Sequence, residues 1–145
     1  MIWFVDEDEI QLKPLRLGLT LHGLSSEQIV NADEALAALD HIAPDDFIFI
    51  DVMLAAAADE SQSQFKREET ADYKLTGLLL ADKILERRKD IRAERLVLMS
   101  QAASTAVISA VDAFCRRRGL KWVKKSAYDD PNTFADEIEQ MLKGK

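Results

Sequence analysis

The order of apolar and polar segments in this 145-residue chain predicts an α/β fold, a parallel sheet with helices on both faces. Three observations lead there. Short apolar runs, of the kind found in strands buried on two faces, alternate with longer segments of helical spacing. The alternation repeats five times, in the order βαβαβαβαβα. Each strand also hands over to a polar residue at its carboxyl end, where ligands bind in open α/β sheets.

The first strand is Ile2-Trp-Phe-Val5, stopped by Asp6-Glu-Asp-Glu9. Ile10, Leu15 and Leu19, spaced for one helical face, then run to Gly23; Pro14 within that stretch removes a backbone hydrogen bond and predicts a kink or a late start. Glu27-Gln-Ile-Val30 is the second strand, and Ala35, Leu36 and Leu39 mark a second helix before Pro44. Phe47-Ile-Phe-Ile50, the third strand, ends at Asp51. The next helix carries Leu78, Leu79, Ala81, Ile84 and Leu85, so the 23 residues 54–76 stand where a βα loop usually has about 2 to 6. That stretch is an insertion within one domain, 1–145, with Phe65 and Tyr73 as the aromatic anchors of any ordered form. Its start, three residues past Asp51, predicts a lid over the strand ends. Arg95-Leu-Val-Leu-Met99 reaches Ser100, a helix over 105–118 with Val107, Ile108, Val111 and Phe114 on one face stops at Gly119, and Leu120-Lys-Trp-Val123 leads into Lys124-Lys125. The last helix, 131–142, has Asp130 as N-cap, Pro131 at its first position, and Phe134, Ile138 and Met141 inward.

Composition narrows the function. Apolar residues make up 48% against 31% charged, with only 5 Gly and 3 Pro, which excludes collagen-like and disordered chains. A net charge of −7 repels polyanions, so nucleic acid is not an expected partner. One cysteine, Cys115, precludes an intrachain disulfide and a cysteine-based zinc site, which fits a reducing, cytoplasmic setting. The start of the chain has neither the basic end nor the long apolar stretch of a signal peptide or membrane span. Cys115 reads as a buried apolar contact, His22 and His41 as surface residues at helix ends.

The chemistry gathers at the strand ends: Asp6, Glu7 and Asp8 after the first strand, Asp51 after the third, Ser100 after the fourth and Lys125 after the fifth. Neighbouring strand residues alternate faces, so Lys125 and Lys124 point opposite ways. Converging carboxylates repel unless a cation lies between them, and Mg²⁺ suits an oxygen cluster. A metal, an ammonium and a hydroxyl are equipment for stabilising a transferring phosphoryl group, with a carboxylate as nucleophile.

At these residues the sequence resembles the receiver domain of two-component response regulators, over nearly the whole chain apart from the insertion. FVDED (Phe4 to Asp8) resembles the family's acidic pair, IFIDVML (Ile48 to Leu54) the segment around its phosphorylated aspartate, VLMSQA (Val97 to Ala102) its Ser/Thr switch strand, and WVKKSAYD (Trp122 to Asp129) the strand of its invariant lysine. The resemblance implies a flavodoxin-like doubly wound sheet of order 2-1-3-4-5. It makes Asp51 the phosphoacceptor, Asp6, Glu7, Asp51 and the Met53 backbone carbonyl the Mg²⁺ ligands, and Lys125 and Ser100 the partners of the phosphoryl group. Ser100 and Trp122 would be the switch residues. The donor would be a histidine kinase or a phosphotransfer protein, the output an unknown downstream protein, and the chain a phosphoacceptor instead of an enzyme in the ordinary sense. Three departures stand out: Glu7 where Asp is commoner, Ser126 where proline usually follows the lysine, and Gln101 where a small residue is usual. The chain ends soon after its fifth helix, which fits a stand-alone receiver or part of something longer. Two other readings remain: a pseudo-receiver binding module that is not phosphorylated, and a phosphohydrolase similar to the haloacid dehalogenases, with Asp6 as nucleophile and Asp8 as acid/base.

Overall fold

A computed structural model describes residues 1–71, 73–101 and 104–143; Ala102, which closes the VLMSQA segment, and Asp72 of the insertion lie outside them. Strands β1 (Ile2–Val5), β2 (Ser26–Ile29), β3 (Phe47–Asp51), β4 (Leu96–Ser100) and β5 (Lys121–Lys124) form one sheet of order β2-β1-β3-β4-β5, with every neighbouring pair parallel. Position in the sheet explains composition. Every residue of β3 and β4 is buried, and both read as apolar runs up to the polar residue that ends each, Asp51 and Ser100. The edge strands β2 and β5 are partly exposed and carry Glu27, Gln28, Lys121 and Lys124. Because β2 offers no apolar run to mark its ends, it begins and stops one residue earlier than expected.

The helices are α1 (Glu9–Leu21), α2 (Ala32–Ala37), α3 (Thr76–Arg87), α4 (Thr105–Arg118) and α5 (Pro131–Lys143). Alternation along the strands divides the core in two. Phe4, Phe47, Phe49, Val97 and Met99 face α1 and α5, where the Phe4, Phe49, Tyr128 and Phe134 rings pack against one another. Val5, Ile48, Ile50, Leu96 and Leu98 face α2, α3 and α4. The doubly wound reading therefore holds, with two helices on one side and three on the other. Among the described residues no helix is long and apolar enough to cross a membrane.

Two local expectations are corrected. Helix α1 starts at once, because the Asp8 side chain accepts the Gln11 N–H as N-cap, and it runs unbroken through Pro14. Pro14 is on the exposed side, where water can satisfy the carbonyl that lost its donor. His22 is no free surface residue: its Nδ1 lies 2.6 Å from Glu139 Oε1 and ties the end of α1 to α5.

The described residues of the insertion pack to the side of the strand ends instead of covering them. Its carbonyls at Ala55 and Ala56 accept the N–H groups of Ala32 and Asp33, the first two residues of α2. Ser63 donates to the Asp33 carboxylate at 3.1 Å, and Leu54, Ala56 and Phe65 are fully buried in the core on the α2 and α3 side. Two needs draw the segment there: orphan N–H donors at a helix start and apolar side chains that must leave water. The excursion closes where it began, with the Gly77 N–H donating to the Val52 carbonyl at 2.9 Å.

Candidate functional site

Asp6, Asp51, Ser100 and Lys125 meet at the carboxyl end of the sheet. β1 and β3 are adjacent and in register, so the residue following Val5 and the residue following Ile50 leave the sheet side by side. Asp6 is anchored by its backbone, its N–H bonded to the Ile29 carbonyl and its carbonyl accepting from Gln28 Nε2. Its Oδ1 accepts the Asp8 N–H at 2.9 Å. Lys125, at the head of a 3-10 turn over Lys125–Asp129, extends its ammonium between the two carboxylates, 2.9 Å from Asp6 Oδ2 and 3.5 Å from Asp51 Oδ2. All four residues are buried: Asp6 1% exposed, Ser100 2%, Lys125 5% and Asp51 9%. Lys124, the register partner of Ser100, is exposed.

Two carboxylates against one ammonium leave a negative charge in a poorly solvated place. Asp51 takes the strain. Burial, then the Asp6 charge, push its pKa from 3.8 to about 6, against the opposing pull of Lys125 and the Met53 N–H. Burial alone would lower Lys125, yet its contacts with Asp6 and Asp51 hold it above the ordinary lysine value. Tyr128, buried beneath the cluster, is pushed well above the usual tyrosine value by burial and by the same two aspartates. Asp51 thus stays ionised at neutral pH and is more basic than a free carboxylate.

The other expected residues fall outside this group. Glu7 is exposed, so two carboxylates converge here where three were expected; among the described residues no group of three His, Cys, Asp or Glu gathers to hold a metal. The cause is local: Asp6 still belongs to the sheet edge, whereas Glu7 enters the turn that starts α1, its carbonyl accepting the Glu9 N–H. Met53 is half-exposed beside Asp51. Gln101 is exposed and, with Gln11, Ser100, Lys124, Lys125 and Ser126, lines an open polar hollow beside the cluster that no described insertion residue lines. Trp122 packs toward α4 and donates its indole N–H to Asp112 Oδ1 at 2.6 Å. The donors that remain, the two buried carboxylates of Asp6 and Asp51, are hard oxygens carrying excess negative charge, a set that fits a divalent cation such as Mg²⁺.

Sequence reasoning missed Gly77. A Cβ there would stand 2.2 Å from the Asp51 carbonyl oxygen and 2.8 Å from Val52 Cα, both backbone atoms that cannot step aside. Only a glycine lets the first turn of α3 press on the strand end that presents Asp51. The available signal was a glycine in the first turn of a helix, where it is costly without a packing reason.

No sequence-family model matches the chain, and no curated protein matches it. Solved structures do. The receiver domain of NtrX from Brucella abortus is 23% identical, with full coverage of both chains and a TM-score of 0.65. A CheY-like response regulator receiver domain protein from Methanospirillum hungatei JF-1 is 18% identical over 99% of this chain and 93% of its own, with a TM-score of 0.64. A response regulator from Burkholderia pseudomallei, solved with a phosphorylated aspartic acid, a calcium ion and citrate, is 20% identical over 97% of this chain and 71% of its own, with a TM-score of 0.59. The chain has the receiver-domain fold.

Proposed function

We propose that the chain is a phosphoacceptor signalling domain, in which Asp51 receives a phosphoryl group from a histidine kinase or a phosphotransfer protein. The observation that carries this reading is the Asp51 carboxylate itself: buried, facing the Lys125 ammonium that it shares with Asp6, and still ionised at neutral pH. An Asp51 oxygen attacks phosphorus, the bond from phosphorus to the donor breaks, and an acyl phosphate forms. Lys125 faces the negative charge that arrives with the group, and the Ser100 hydroxyl donates to one of its oxygens. The Met53 N–H, already on the Asp51 carboxylate, orients the attacking oxygen. Mg²⁺, when bound by Asp6, Asp51 and the Met53 carbonyl with Glu7 at the rim, supplies Lewis-acid stabilisation of the phosphoryl oxygens. The Burkholderia protein, whose structure carries a phosphorylated aspartic acid and a calcium ion, supports the assignment by analogy of fold. Against the phosphohydrolase alternative, Asp8 caps α1 and is exposed, unavailable as an acid/base partner of Asp6.

The test is intact-mass analysis after incubation with acetyl phosphate and Mg²⁺, followed by borohydride trapping and peptide mapping. The expected result is one phosphoryl group, on Asp51, lost in Asp51→Asn. A label on Asp6, or phosphomonoester turnover that survives Asp51→Ala, would make the chain a hydrolase. No label from a small donor or from any kinase would leave the non-phosphorylated binding module.

A further inference from the structure

Helix α1 is apolar on two opposite sides, and only one of them is covered. At 3.6 residues per turn, Leu12, Leu15 and Leu19 fall on the inner side and are fully buried. Ile10, Pro14, Leu17 and Leu21 fall on the opposite side, and all four are exposed, Ile10 88%, Leu17 61% and Leu21 78%. Those three make up half of the six large apolar residues that stand exposed among the described residues, so the patch is a stripe and not scattered surface. Pro14, which deprives the helix of a hydrogen bond, belongs to it.

The borders of the stripe bear on its occupant. Gln11 and Gly18 flank it on one side, Lys13 and Thr20 on the other, so a single charge stands beside it. Such borders offer little to a partner of either sign and suit a surface like themselves. The chain carries a net charge of −7, and the acids of this segment, Glu7, Asp8 and Glu9, gather at the start of the helix. Two copies laid parallel would set those acids against each other. Laid antiparallel about a two-fold axis, they hold the two acidic starts on the order of 20 Å apart, beyond the reach of charge in physiological salt, and the helix dipoles oppose. The spacing of the stripe reads the same from either end, so this arrangement sets Ile10 of each copy against Leu21 of the other, and Pro14 against Leu17.

We propose that the outer face of α1 is the contact between two copies of this chain, paired antiparallel through Ile10, Pro14, Leu17 and Leu21. The stripe is small beside the roughly 1,600 Å² of a standard interface, so the dimer is weak and exchanges with monomer, half-formed at about 100 µM. The contact is apolar while the copies repel through their net charge, so salt strengthens it. None of this depends on phosphorylation of Asp51.

The experiment is sedimentation equilibrium of the full chain, over concentrations that bracket that midpoint, in low and in high salt. Wild type should form a dimer whose share rises with salt. Leu17→Glu should weaken it at least about tenfold. Ile10→Lys and Leu21→Glu should each be monomeric alone, whereas an equimolar mixture of the two should dimerise, because the introduced ammonium and carboxylate then face each other across the seam. All three sites are exposed, so the fold should be kept, which an unchanged Tm checks. A chain that is monomeric at every concentration and salt overturns the pairing and leaves the stripe to a helix of another protein. A dimer that survives Leu17→Glu, or that loosens with salt, is built on another face and overturns it equally. A mixture that stays monomeric overturns the antiparallel arrangement.

Discussion

Replacing Asp51 by asparagine should make the chain more stable at neutral pH, with a gain that vanishes in acid. In the folded chain Asp51 titrates at about 6, against 3.8 without the fold. Between those values the folded chain keeps a proton that the unfolded chain has released, so stability falls as pH rises through the window. At about 1.36 kcal/mol for each pH unit, the ionised carboxylate costs about 3 kcal/mol once the pH is above 6, and nothing below 3.8. Asparagine has the shape of the protonated carboxyl and no charge, so Asp51→Asn escapes that cost, while Lys125 keeps its 2.9 Å contact with Asp6. Urea unfolding should therefore favour the variant by about 3 kcal/mol at pH 7.5, about 6 to 12 °C in Tm for a chain of this size. The two proteins should converge toward pH 4, and millimolar Mg²⁺ should narrow the gap by stabilising the wild type. Parallel stability curves for the two proteins across pH 4 to 8, or a variant less stable at pH 7.5, would refute the reasoning. Lys125 and the Met53 N–H would then outweigh burial and the Asp6 charge.

Lys125→Met should act in the opposite sense. Leaving both carboxylates without their counter-ion costs about 3 to 5 kcal/mol, moves Asp51 further up, and steepens the loss of stability between pH 5 and 8, read by the same urea series. Gly77→Ala puts a methyl group against the Asp51 and Val52 backbone and should cost about 3 kcal/mol, with slower labelling of Asp51 in whatever folds; a variant as stable as wild type would mean that α3 shifts freely. Phe65→Ala empties a fully buried site and should cost about 3 to 5 kcal/mol, measured by calorimetry. A cost below about 1 kcal/mol would mean that the insertion lies loosely on the core.

How much of this was readable depended on how local the cause was. β1, β3 and β4 are written as apolar runs because water reaches neither face, and the boundaries of α4 follow from its spacing and from Gly119, whose φ of +71° suits a glycine stop. The meeting of Asp6, Asp51, Ser100 and Lys125 followed from strand ends of a parallel sheet, since topology alone puts them there. Whatever hung on a distant partner stayed hidden. Nothing near Phe65 says that its site lies beside α2, nothing near Gly77 says that the β3 backbone passes within reach, and Glu7 differs from Asp6 only in standing one residue further round a turn.

The insertion also bears on how the molecule opens. α2 has six residues, too few to hold a helix through its own hydrogen bonds, and its first two amides find their acceptors at Ala55 and Ala56. A change at Phe65 that loosens the excursion should therefore register as faster amide exchange at Ala32 and Asp33, before any loss of protection in the central strands. Helix α2 and the excursion are joined across the fold instead of along the chain, and they should come apart together as one cooperative unit.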